Sequence, residues 1–179
     1  MAASAARRGP RPYAWVSRGV SLGAALPLAV LASRAVRGEL GANPIAEALN
    51  ALGLLALALL VASLACTPLQ ALSGWTWPVR ARQPLGLAAF TYASLHVLTY
   101  AGLDQVLAPR AILADVVKRP FIMVGLAAYL LLVPLAVTST DTMVRRLGYR
   151  RWKLLHRAVY LAGALGVVHF LWRVKKDRA

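Results

Sequence analysis

The chain has 179 residues, 59% of them hydrophobic, a mean hydropathy of +0.60, and a formal net charge of +15 from 21 Lys and Arg against 6 Asp and Glu. That apolar content exceeds what a soluble domain of this length needs to fill one core, so the composition is that of a membrane protein. The cations lie beside lipid-length apolar runs, where they meet anionic head groups and fix orientation, which argues against nucleic acid as a partner.

In chain order, the N-terminal "MAASAARRGPRPYAWVSRG" has the basic start of a signal peptide. The apolar run that follows continues from Val20 to about Ala35 with no convincing cleavage site, and more spans follow it, so it reads as a retained first helix. Five segments approach the roughly 20 residues needed to cross the hydrocarbon core. They are residues 19 to 36, 44 to 65, 84 to 103, 120 to 138 and 154 to 172. Pro44, Pro84 and Pro120 stand where first helical turns begin, a position that loses nothing from the missing N–H, and Asn43 suits the N-cap of the second helix. Pro134 is expected to kink the fourth span. Between the fourth and fifth, "STDTMVRRLGYRRWKLLH" can form a short interfacial helix from Asp141 to about Gly148. The fold class is therefore all-α: a polytopic transmembrane helical bundle of five spans, with no internal repeat.

Trp15, Trp75, Trp77, Trp152 and Trp172 all fall at predicted helix ends, where indole prefers the membrane interface. The N-terminal cations (Arg7, Arg8, Arg11, Arg18), Arg80 and Arg82, and the cluster Arg145, Arg146, Arg150, Arg151 and Lys153 fall on one side, read as cytoplasmic. The bias is modest, since Arg34, Arg37, Arg110, Lys118, Arg119 and the C-terminal cations lie opposite. The chain divides into a cytoplasmic tail at 1–18, one membrane domain at 19–172 and a basic tail at 173–179. Cys66 is the single cysteine, so no internal disulfide exists, and no Cys/His spacing resembles a zinc site.

All three histidines, His96, His156 and His169, lie in or beside predicted spans. A bilayer penalises such groups unless they face a partner, a cavity or a cofactor. His96 lies about 18 Å along the third helix, at a depth that matches His169 on the fifth. Two imidazoles at one depth can hold a haem iron from opposite faces, which fills both axial positions and favours electron transfer over oxygen chemistry. His156 and His169 are separated by a rise of roughly 20 Å, enough for two stacked cofactors, but they stand roughly 140° apart on an ideal helix. Gly163 and Gly166 would permit the distortion needed to turn both inward. A second reading of the same residues is a small transporter or assembly factor whose histidines relay protons or bind a ligand. Asn50 and Glu47 could mark a quinone or helix contact, and Tyr92, Tyr100 and Tyr160 read as packing or interface residues.

Three blocks, "RARQPLGLAAFTYASLHVLTY", "RPFIMVGLAAYLLLVPLAVTST" and "RRLGYRRWKLLHRAVYLAGALGVVHFLW", together resemble the MsrQ (YedZ) family. This is the haem-binding membrane subunit of the bacterial periplasmic protein-methionine-sulfoxide reductase system, within the wider ferric-reductase-like transmembrane group. The resemblance implies an inner-membrane protein with its N-terminus cytoplasmic and b-type haem, one or two, held by His96, His156 and His169. It also implies FMN, and electrons drawn from the quinone pool or a cytosolic flavin reductase. They would pass to a periplasmic molybdopterin subunit that reduces oxidised methionine, so the chain would not be an enzyme alone. Two departures stand out. The wider group usually has a further histidine about fourteen residues before the one matched by His96, and that position here is Arg82. Guanidinium is a poor iron ligand, so Arg82 is expected to pair with a haem propionate or a lipid phosphate. The family also typically has a sixth span, whereas this sequence ends at Ala179.

Overall fold

The structure, a computed structural model, describes residues 14–177. The expected tails lie partly outside that range. The described residues are helical, without strands: α1 (Ala14–Val36), α2 (Pro44–Ser73), α3 (Trp77–Thr99), a π-helical turn (Tyr100–Asp104), α4 (Pro109–Lys118), α5 (Pro120–Val137), α6 (Asp141–Leu147), α7 (Tyr149–His156) and α8 (Ala158–Asp177). Four segments among them are long and apolar enough to cross a membrane: Trp15–Val36, Pro44–Ser73, Pro120–Val137 and Tyr149–Lys175. Helix α3, which holds most of the third predicted span, also has spanning length, but Arg80, Arg82, Gln83 and His96 dilute its hydropathy. It packs against α1, α2 and α5, so those groups can meet protein rather than lipid. Gln83 does so, donating to the Ser139 carbonyl at 2.7 Å.

Local signals explain most boundaries. Asn43 caps α2 by accepting from the Ala46 N–H at 3.0 Å, and Pro44 occupies the first turn. Helix α2 runs past the predicted end at residue 65, through Pro68, until Gly74 closes it in the left-handed conformation. The start of α3 also differs from expectation. It begins at Trp77, with Pro78 in its first turn, so Pro84 is interior and buried. Its missing N–H frees one carbonyl within a packed interface, where neighbouring helices make a proline tolerable. Nearby, Ser63 of α2 donates to the Arg82 carbonyl at 2.9 Å, tying the two helices together. Pro134 lies inside α5, as expected, in its last turn. The interfacial helix α6 ends at Leu147 before Gly148, as its sequence suggests.

The largest interfaces pair α2 with α3 and α5 with α8. These two pairs meet in a layer that draws one buried residue from each helix: Leu60, Ala89, Leu132 and Ala162. Ala89 and Ala162 are 1% and 0% exposed, and their small side chains let the helix backbones approach. Ala89→Leu is therefore expected to lose about 1–3 kcal/mol of stability by overpacking. Thermal unfolding in detergent should show this, while Ala164→Leu, on the exposed side of α8, should melt like the parent.

Candidate functional site

On one side of that alanine-rich layer, towards the end of the bundle where α4 lies, the two helix pairs separate around a cavity of ≈ 450 Å³. Its floor includes Leu60, Leu132 and Ala162, and its walls are largely apolar. His96 from α3 and His169 from α8 both line it. Their ring centroids are 6.3 Å apart and their planes stand at 81°. The depth match expected from the sequence thus becomes a contact between two rings.

Each ring is backed by a neighbouring helix. His96 Nδ1 lies 2.9 Å from the Leu49 carbonyl of α2, and His169 Nδ1 lies 2.7 Å from the Phe121 carbonyl of α5. A carbonyl only accepts, so each Nδ1 carries the proton and donates it, which leaves the lone pair on Nε2. No hydrogen bond among the described residues engages either Nε2. Orienting a ligating imidazole through its other nitrogen is the usual second requirement of a metal–histidine bond. The spacing fits as well. A metal–imidazole bond of about 2 Å on each side, with the ring centre roughly 1 Å beyond the nitrogen, separates two axial rings by about 6 Å. Two neutral nitrogen donors at that separation, inside an apolar cavity of ligand-binding size, suit a six-coordinate haem iron.

The α4 end of the cavity is polar. Asn50, Tyr100 and Arg173 line it there, and among the described lining residues Arg173 is the only charged one. Arg173 stands four residues after His169, hence on the same face of α8, one turn nearer the membrane surface. The Tyr100 hydroxyl donates to Asp115 at 2.9 Å, and Asp115 also pairs with Arg119 at 2.8 Å. These bonds hold α4 across the mouth, where it contributes Ile112 and Val116 to the lining. Helix α4, at ten residues, is too short for a span and is not among the predicted elements. Its signals were Pro109 and apolar residues recurring at helical spacing. Arg173 was assigned to a tail.

His156 and Arg82 are placed at the opposite end, and neither lines this cavity. Thr138 Oγ1 donates to the Pro134 carbonyl at 2.6 Å, so at the 3.0 Å contact between Thr138 Oγ1 and His156 Nε2 the imidazole is the donor. Trp152 stacks on His156 with centroids 4.1 Å apart and donates to the Thr138 carbonyl at 2.9 Å. The distortion expected at Gly163 and Gly166 is instead a break at Arg157, which puts His156 on α7 and His169 on α8. Arg82 approaches Thr67 at 3.4 Å, a long contact, and its charge reaches His156. Cys66 is buried, with Sγ 3.3 Å from the Ala62 carbonyl.

Residues 51–167 match the family described as ferric reductase like transmembrane component. The chain is 53% identical over 173 residues to a protein-methionine-sulfoxide reductase heme-binding subunit of Deinococcus radiodurans, covering 96% of this chain and 85% of that protein. To the subunit of the same name from Rhodospirillum rubrum it is 57% identical over 152 residues, covering 85% and 73%. The Azospira oryzae protein of that name is 46% identical over 167 residues, covering 93% and 72%. No solved structure matches the chain significantly.

Proposed function

The chain belongs to the MsrQ family of heme-binding subunits, within the ferric-reductase-like transmembrane group, and from that membership we propose that it carries electrons through b-type haem held between His96 and His169. The observation that carries the reading is the pair of imidazoles, 6.3 Å apart across one cavity, each with Nδ1 engaged and Nε2 left for iron. His96 and His169 would hold a b haem, which when bound would supply one-electron ferric/ferrous chemistry with no site left for a substrate at iron.

The protein's own residues do the rest. The Leu49 and Phe121 carbonyls fix the tautomer and strengthen each nitrogen as a donor. The apolar walls keep water from the ligands. Arg173 and Asn50 would receive the propionates at the α4 end, while the Tyr100 hydroxyl stays committed to Asp115. Helix α4 closes the mouth through the Tyr100–Asp115–Arg119 network. At the other end His156 anchors α7 to α5 through Thr138, and one haem is assigned. Along α3, Arg82 is about 21 Å from His96, too far to reach the same haem's propionates, so it serves a lipid phosphate.

Charge sets the orientation. The end with α6 and α7 carries Arg145, Arg146, Arg150, Arg151 and Lys153 and follows the basic N-terminal sequence, so it is cytoplasmic, in a bacterial inner membrane. Electrons then enter from the quinone pool or a cytosolic flavin reductase and leave at the α4 end. The acceptor is a periplasmic molybdopterin methionine sulfoxide reductase, which performs the substrate chemistry that this chain alone does not. FMN enters only through the likeness to the family.

The test is a reduced-minus-oxidised spectrum of the purified protein, followed by reduction with a quinol and reoxidation by the sulfoxide-reducing partner with a methionine sulfoxide peptide. A b-haem spectrum that cycles in this order is the expected result. A colourless protein with full helicity would return the reading to a transporter or assembly factor.

A further inference from the structure

Glycine in a membrane helix usually marks a close helix–helix approach. Two glycines here do something narrower. A Cβ built on Gly125 would lie 2.7 Å from His169 Nδ1 and 2.8 Å from Cε1. On Gly53 it would lie 3.1 Å from His96 Nδ1 and 3.2 Å from Cε1. The other described glycines meet a leucine methyl group, a serine hydroxyl, a carboxylate oxygen or open space.

The two positions share a register. Gly53 follows Leu49 by four residues, and Gly125 follows Phe121 by four, and those are the residues whose carbonyls accept the Nδ1 protons. In an α-helix every Cα–Cβ bond leans towards the N-terminus, so the side chain at position i+4 lies over the turn that presents carbonyl i. Any residue larger than glycine would cover that carbonyl. Removing the side chain lets an imidazole from the neighbouring helix lie flat against the turn. It can then share an oxygen already bonded within the helix.

We propose that Gly53 and Gly125 are positioning residues. Each forms a seat for one axial histidine and fixes its tautomer and the direction of its ring plane. The seats occur once in each helix pair, α2 with α3 and α5 with α8, so the 81° between the rings is a property of how the two pairs are set together. The inference rests on the electron-transfer reading for the identity of the group held, not for the seats themselves.

The test compares Gly125→Ala, Gly53→Ala and Gly163→Ala in the full chain, purified in detergent. Gly163 is the control, because its Cβ would meet only the Leu64 methyl group at 3.1 Å, a flexible neighbour, on the same helix as His169. Gly125→Ala should lose most of the low-spin ferric signal in electron paramagnetic resonance. It should also acquire a ferrous form that binds carbon monoxide and retain haem about tenfold less well. Gly53→Ala should shift in the same direction by less, with a raised midpoint potential as the weakened donor favours ferrous iron. Gly163→Ala should match wild type. Wild-type signals in both Gly125→Ala and Gly53→Ala, or equal damage in Gly163→Ala, would overturn the seats. Should Gly125→Ala fail to accumulate, Gly53→Ala decides.

A colourless wild type would instead sink the electron-transfer reading. The seats then stand or fall on histidine ¹⁵N shifts. Protonated Nδ1 on His96 and His169 in wild type, lost from the seated ring in the variants, supports them; protonated Nε2 in wild type refutes them.

Discussion

His96→Ala and His169→Ala are each expected to abolish the low-spin b-haem spectrum, whereas His156→Ala should keep it at unchanged stoichiometry. Either of the first two leaves one nitrogen in a cavity built for two, and haem retention should fall by more than the roughly 10- to 100-fold cost of losing an outer-shell partner. In the parent, ring planes at 81° should give ferric iron a strongly anisotropic low-spin resonance, unlike that of parallel imidazoles. His156→Ala removes a hydrogen bond to Thr138 and a stack on Trp152, at a cost of about 1–2 kcal/mol in thermal stability. Haem content from the pyridine haemochrome, set against protein concentration, separates these outcomes. If His156→Ala halves the haem, a second cofactor lies at the α6 end and the one-haem assignment fails. If His96→Ala keeps a full low-spin spectrum, the clamp itself is wrong.

The spans and the histidine pair were legible in the sequence for one physical reason: lipid makes polar residues conspicuous. An apolar run can hide neither His96 nor His169, and rise per residue alone places them at one depth. The same logic overreached at Pro84. A first-turn proline and an interior one look alike until packing is known, and α3 begins at Trp77. Helix α4 has local signals, Pro109 and apolar residues at helical spacing, but its ten residues are too few to cross a membrane and so do not stand out as a span. Gly53 and Gly125 read as weak points in a helix, since their use depends on a ring supplied by another helix far along the chain. Arg173 had a readable signal, its place four residues after His169. Its position beyond the apolar run made it look like tail.

Arg173→Glu carries the second large effect. Two propionates at the α4 end would meet a carboxylate instead of a guanidinium. A charge-assisted hydrogen bond contributes roughly 1.5–3 kcal/mol, so losing it in Arg173→Ala should weaken haem retention about ten- to a hundredfold. Reversing the charge should do more, because like charges in a partly apolar cavity are poorly screened. Arg173→Lys should recover part of the loss, as a cation without the planar fork. The potential gives an independent sign. A cation near iron favours the ferrous state, which carries one positive charge fewer, so Arg173→Ala and Arg173→Glu should lower the midpoint potential in that order. Gly53→Ala should raise it. Equilibrium titration of residual haem reads both. Opposite shifts would separate an electrostatic role at the mouth from a ligand-positioning role at the seats. If Arg173→Glu retains haem and potential, the carboxylate edge does not face the α4 end, and the role given to Arg173 fails.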